Sequence, residues 1–195
     1  ARPQSAVDSV LVASQIVVSA QSIVSRNVNP LQGAVVSFGA ILSGDENGSS
    51  VLPQTAKMVG TCRSFEPEVQ DRVQQRLCEI TQGVAQAYGA QAQCRYTRLY
   101  PALLNHEVQA LAVKELVHDW LGEAGLKPAP QQMTAEDFAF MTQACPGCLF
   151  RLGIRDCEHT ANLHECEFDF NDKAIVYGST LMVLIAVNRL KVINA

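Results

Sequence analysis

Charge is sparse in this sequence and nowhere concentrated. The 195 residues carry 15 Lys and Arg against 19 Asp and Glu, a net charge of −4. No basic run occurs, which argues against nucleic acid as a main partner, because phosphate binding needs clustered cations. Long apolar runs are also missing. The densest, "STLMVLIAV" from Ser179 to Val187, is shorter than the roughly 20 residues a membrane-crossing helix requires, so no membrane partner is expected. The opening residues show no signal-peptide pattern, so none is expected there. The first residue is Ala1 rather than Met, and a helical pattern follows almost at once, so a piece of a longer chain is expected.

What is present suits a globular protein. Hydrophobic residues make up 48% and charged residues 17%, enough apolar side chain for one large domain or two small ones. The seven cysteines are an odd number, scattered through apparent helices and strands. That usage predicts free buried thiols in a reducing, cytoplasmic setting rather than a disulfide framework.

Periodicity gives the order of elements. Val7, Val10, Leu11, Ser14, Val17, Val18 and Gln21 recur at helical spacing, which predicts a helix over residues 5–25. "NVNP" ends it at Pro30. Strand alternation follows at residues 33–42, with Val36, Phe38 and Ala40 on one face, and again at residues 55–65, with Ala56, Met58 and Cys62 together. The loop between them is "SGDENGSS". Pro67, between Glu66 and Glu68, opens a second helix. Its stripe is Val69, Val73, Leu77, Ile80, Val84 and Tyr88, and Gly89 stops it. Residues 90–101 read as a third strand.

With one strand ahead of Ala1 this order becomes βαββαβ, the split βαβ sandwich of ferredoxin-like domains. After Pro101 the pattern changes. Residues 105–125 read as an amphipathic helix with Val108, Leu111, Ala112, Leu116 and Trp120 facing inward. Residues 134–144 read as a short helix capped by Thr134, and residues 148–154 as a strand. Residues 173–190 read as a helix apolar almost all round, hence buried. The expected fold class is therefore α/β (α+β), with domains at 1–100 and 101–195.

Six phrases, in order, resemble one family. They are "ARP" at Ala1, "SRNVNPL" at Ser25, "VLPQTAKMVGTCRSFEPEV" at Val51, "EDFAF" at Glu136, "PGCLFRLG" at Pro146 and "LHECEFDFND" at Leu163. The chain is similar from end to end to the dinuclear-zinc amidohydrolases that include hippurate hydrolase, aminoacylase and the indole-acetyl-amino-acid hydrolases. The resemblance implies a zinc-peptidase α/β domain interrupted by a βαββαβ lid through which two subunits pair as a homodimer. It implies that residues 1–100 are the lid without its first strand, and that residues 101–195 are the C-terminal part of the catalytic domain. The family's other metal ligands and its paired glutamates find no match here, so no catalytic residue is assigned and the chain alone is not expected to hydrolyse anything.

In such enzymes two zinc ions activate a water that attacks the amide of an N-acyl amino acid or a similar small amide. By the family phrase, His164 is a zinc ligand. Leu163, Phe168 and Phe170 anchor its loop, and Asn171 or Asp172 caps the last helix. On spacing alone, His164 reads equally as a loop histidine held by a hydrogen bond.

The resemblance also implies substrate-side positions. Arg26 keeps the family residue and suits a carboxylate, or serves as a helix C-terminal cation. Gln4 stands where the family has a histidine, and it donates a hydrogen bond but carries no charge. Ser50 stands where Asn is usual. Thr134 and Ala135 replace two glycines beside the substrate, ahead of Glu136 and Asp137, which read as site acids or as helix-dipole partners. These departures fit altered activity, or a non-catalytic, dimer-forming degenerate relative. A rival reading groups Cys145, Cys148, Cys157, His159, His164 and Cys166 as a structural zinc cluster.

Overall fold

The computed structural model describes residues 2–193. Ala1, Asn194 and Ala195 lie outside them. The architecture is mixed α/β, in two compact units. One runs to Ala102 and also takes in Met133–Glu136; the other comprises Leu103–Gln132 and the chain from Asp137 onward.

The first unit is built on a two-stranded antiparallel sheet of β1 (Ala34–Ser43) and β2 (Ala56–Ser64). The register pairs Val36 with Cys62 and Ile41 with Met58, and it shifts between Phe38 and Ala40. That bulge lies opposite Gly60, where an added Cβ would come 2.5 Å from the Ser37 carbonyl oxygen. Only glycine fits a backbone approached so closely. Val36 is buried and Phe38 half-buried on the same face, so the strand alternation is as the sequence predicts.

Two helices, α1 (Ser9–Ala20) and α2 (Pro67–Ala87), pack against this sheet and each other. Asp8 starts α1: its carboxylate accepts from the Val10 and Leu11 amides at 3.0 Å each, satisfying two orphan donors of the first turn. The helix begins later than the apolar pattern suggests and ends in a π-helical turn, Ile23–Asn27. Its buried face is also different. Val12, Ala13, Ile16, Ala20 and Ile23 are buried, whereas Val10, Leu11 and Val18 are 42%, 45% and 66% exposed. A helix apolar on nearly every side has no unique stripe in sequence, and the tertiary partners choose the face.

For α2 the sequence is clearer, because polar residues mark its outer face. Val69 and Val73 are buried, and Leu77 and Ile80 pack beside them. Gly89 adopts φ 73°, and the Ala90 amide reaches back to the Ala85 carbonyl at 2.8 Å. This is the left-handed cap that glycine favours at a helix end.

Residues 90–97 alternate half-buried and exposed, as a strand does, but no strand forms there among the described residues. In a split βαβ sandwich the last strand pairs with the first, and the described residues offer no such neighbour. Residues 148–154 likewise form no ladder.

The cysteine expectation is overturned for two of the seven. Cys78 on α2 and Cys94 are joined as a disulfide, with their Cα atoms 5.3 Å apart. Cys145, Cys157 and Cys166 are free but exposed. The chain reversal at Gly89 brings together two residues sixteen apart, which linear spacing does not reveal.

The second unit contains α3 (Glu107–Leu121), α4 (Phe138–Ala144) and α5 (Ala174–Ile193). In α3 only Val117 is buried, and Val108 and Leu111 are exposed, so the inward stripe lies about one position round from the expected one. Trp120 meets Tyr177 of α5 at 6.0 Å between ring centres. The helix expected from Thr134 starts at Phe138, with Asp137 as its cap residue.

Most of α5 is exposed rather than buried, Val176 at 67% and Met182 at 59%. Within the described residues of this unit, α3 is its main helical partner, and one partner cannot cover an apolar circumference. Two helical stretches, residues 9–27 and 174–191, are long and apolar enough to cross a membrane by length and composition. The sequence argument from uninterrupted runs missed them, because scattered polar residues break the run without breaking the helix. The first buries its inner face on α2 and the sheet, as a core helix does.

Candidate functional site

The segment from Ile154 to Lys173 connects into α5 without regular structure, so side chains must order it. Asp156 is the hub. Its Oδ1 accepts from the Glu158 and His159 amides at 2.9 Å each and contacts His159 Nδ1 at 2.7 Å. Its Oδ2 accepts from Asn171 Nδ2 at 3.0 Å, with Lys173 Nζ 3.6 Å away. The His159 side chain first, then the two amides, holds the Asp156 carboxyl well below the usual carboxylate range. Asn171, buried, turns its Oδ1 to the Lys173 amide at 3.1 Å and so leads the chain into α5. A parallel set pins the middle of the loop: Arg155 donates to Asn162 at 2.7 Å, and Asn162 donates to Glu165 from its amide and its side chain.

These bonds shape a shallow cavity of about 170 Å³, lined by residues including Ile154, His159, Asn162, Leu163, Phe168 and Asp169. His164 follows immediately after Leu163. Its ring is exposed, and its φ is 71°, the single positive value outside glycine among the described residues. Histidine tolerates this region better than most residues, yet holding it there costs of order 1 kcal/mol, and such outliers gather at functional sites. Leu163 and Phe170 do not anchor the loop in a core: they are 66% and 45% exposed. Phe168 alone of the three is half-buried, in the cavity wall.

Among the described residues, one group has metal-ligand atoms within 4.8 Å of one another: Asp156, Glu158 and His159. Its central carboxylate is already committed, since Asp156 takes four hydrogen bonds, one of them at His159 Nδ1. The arrangement reads as an ordered turn rather than a cation cradle. His164 does not belong to it, and neither do Cys145, Cys148, Cys157 and Cys166, so the cysteine-rich zinc cluster does not assemble among these residues. His164 thus offers a single seat. A catalytic zinc takes about three protein ligands, and the described residues do not fit a complete metal site around it.

The other predicted positions all belong to the first unit. Gln4 lies in a short 3-10 turn, Pro3–Ser5, and is exposed. Ser50 is exposed in the β1–β2 loop. Arg26 is exposed on the π-helical turn that follows α1, three residues after the buried Ile23. Thr134 and Ala135 are exposed and group with the first unit, next to Met133, whose methyl end lies against Gly33.

Sequence reasoning missed the pair at Asn105 and His106. Asn105 exchanges two bonds with the Leu149 backbone, each 2.8 Å. The His106 amide donates to the Gly147 carbonyl at 3.0 Å, and its Nδ1 accepts from the Gly147 amide at 3.1 Å. The two residues thus hold the "PGCL" turn as a strand would. A polar pair ahead of a helix was the available signal, but it names no partner forty residues away.

Comparison with known proteins places these features. The profile of peptidase family M20/M25/M40 matches residues 9–188. An N-acetyl-L-cysteine deacetylase of Bacillus subtilis is 36% identical over 185 residues, which is 92% of this chain and 41% of that protein. An N-acetyldiaminopimelate deacetylase of Anoxybacillus flavithermus is 33% identical over 173 residues, 89% of this chain and 44% of that protein. The crystal structure of the Bacillus subtilis YXEP protein, a dinuclear metal binding peptidase from the M20 family, superposes with a TM-score of 0.74 at 26% identity, covering 96% of this chain and 47% of that one. This chain spans about half the length of the curated relatives it matches.

Proposed function

The chain belongs to peptidase family M20/M25/M40, and on that premise we propose that it is a segment of a metal-dependent hydrolase that cleaves the amide bond of N-acyl amino acids or similar small amides. The observation that carries the reading is His164: an exposed imidazole in a left-handed backbone conformation, on a loop held in place by the Asn162–Glu165 and Asn171–Asp156 hydrogen bonds. It is offered as one metal ligand, with zinc as the metal. When bound, the metal pair supplies a water of lowered pKa. The residues of this chain do the rest of what is proposed for it. Asp156, Asn171 and Glu165 fix the loop so that the imidazole points outward. Arg26 presents a planar fork for a substrate carboxylate. Gln4 and Ser50 offer hydrogen bonds, and Thr134 and Ala135 narrow the substrate's approach.

In this proposal residues 1–100 are the lid, and two copies pair through it. The free edge of β1, which pairs only with β2 among the described residues, supports that pairing, because an open strand edge invites a partner. A cytoplasmic setting is proposed with it, consistent with five of the seven cysteines standing free.

The test is metal content and N-acetyl-amino-acid hydrolysis by the natural full-length protein and its His164→Ala variant. Loss of roughly 100-fold or more in kcat/KM, with loss of metal, is expected. Unchanged metal and activity would refute the assignment. A second reading, a non-catalytic dimer-forming relative, is favoured by the exposed Thr134 and Ala135 side chains at positions where the family has glycines. Its mark is a dimer in analytical ultracentrifugation with neither metal nor hydrolysis.

A further inference from the structure

We propose that the Cys78–Cys94 pair is a reversible redox fastener that holds residues 90–100 against α2. The inference stands apart from the hydrolase reading and needs no active site. Its starting point is the mismatch between pattern and bonding in this segment. Ala90, Ala92, Cys94 and Tyr96 are half-buried while Gln91, Gln93, Arg95 and Thr97 are exposed. That is the alternation of a strand. Yet among the described residues, the backbone of residues 91–99 makes no ladder bond. Whatever keeps it in place must come from side chains.

For residues 90–99 the noncovalent tethers described are weak. Ala90 and Ala92 pack on the Val12, Ile16 and Ala85 cluster, contributing only small apolar area. The Tyr96 hydroxyl lies beside the Cys62 thiol. Arg98 reaches Asp71 at 2.6 Å and Gln74 at 2.6 Å, but that ion pair is about half exposed on both sides, and exposed pairs hold little. The one covalent tether is the disulfide from Cys94 to Cys78, sixteen residues apart across the Gly89 turn. Both sulfur-bearing residues are half-buried rather than sealed, so a small thiol can reach them.

The exchange balances with a low-molecular-weight thiol such as glutathione as reductant. Its thiolate attacks one cystine sulfur, forming a mixed disulfide, and the other cysteine leaves as a thiolate and takes a proton. A second thiol releases the first cysteine and carries away the small disulfide. Two electrons pass to the protein and two cysteine thiols result. The reverse exchange, with the small disulfide as oxidant, refastens the segment.

The test uses the intact chain, equilibrated with glutathione disulfide or reduced with a phosphine. Five cysteines, free or carrying glutathione, are expected in the denatured oxidised chain and seven free thiols after reduction, with a peptide map linking Cys78 to Cys94. Tryptic cleavage after Arg95 and Arg98 is expected to speed up on reduction by about tenfold or more, while the far-UV circular dichroism stays unchanged. The Cys78→Ala/Cys94→Ala variant is expected to be cut as fast as reduced wild type, with or without reductant. The wild-type comparison stands by itself where that variant does not fold. Seven thiols after oxidation, a link to another cysteine, cleavage indifferent to reduction, or collapse of the dichroism signal would each overturn the proposal.

Discussion

Truncating Ile23 tests how the first unit holds its candidate substrate contact. Ile23 is fully buried, and it packs with Ala20, Val36, Val69 and Val73, so helix, sheet and α2 all touch the same side chain. Replacing it by alanine removes its transfer free energy and leaves a cavity that three elements cannot jointly close. Such changes cost about 2–5 kcal/mol, whereas Ile→Val costs about 0.5–1.5. The framework on all sides of Ile23 argues for the upper half of the first range. With a urea dependence of about 1–3 kcal/mol/M for small proteins, Ile23→Ala should lower the midpoint by about 1 M or more. Far-UV circular dichroism reads the midpoint, and amide exchange in Ser9–Ala20 reads where the loss falls. The turn that carries Ile23 also carries Arg26, so the same variant should loosen any carboxylate contact that Arg26 makes. A cost under about 0.5 kcal/mol, or a valine variant as damaging as the alanine one, would refute this packing argument.

Two further outcomes follow from the hydrogen bonds. Asp8→Ala should destabilise the chain by about 0.5–2 kcal/mol, with faster exchange confined to the first turn of α1; Asp8→Asn, which keeps a cap acceptor, should recover most of it. Asp156 has a folded pKa below its unfolded value, so the stability it confers is fully present above the ordinary Asp pKa of about 3.9 and is lost as pH falls below that value. Acid titration of wild type should therefore show a destabilising limb under about pH 4 that Asp156→Asn lacks. An identical acid limb in both proteins would refute the role of Asp156 as hub.

Particular residues show how far the sequence could be read. Pro67, the α2 stripe and Gly89 were legible because each acts within a few residues: a proline fixes φ, glycine permits a left-handed cap, and polar residues mark the outer face. The β1 and β2 alternation was legible for the same reason. The register bulge at Gly39 was not, because it depends on which residue comes opposite. The buried face of α1 could not be read where valine, isoleucine and leucine occupy every side. At the candidate site, His164 was legible as a family position, but its positive φ and its solitude among the described residues were not. The Asp156 hub was missed because its link to Asn171 spans fifteen residues and none of its partners stands out by type.

The sequence by itself determined the local elements, the mixed α/β class and the family. These rest on short-range sterics, on 2.0- and 3.6-residue periodicity, and on phrases kept in order. Only the tertiary structure decided which apolar face of α1 is buried, that Cys78 meets Cys94, that Asn105 and His106 clamp the turn at Gly147, and that residues 90–97 alternate like a strand without bonding as one. Each of these needs a second segment at a set distance. Hydrogen bonds, disulfides and packing are made by atoms that meet in space, and a linear order of side chains does not say which ones will.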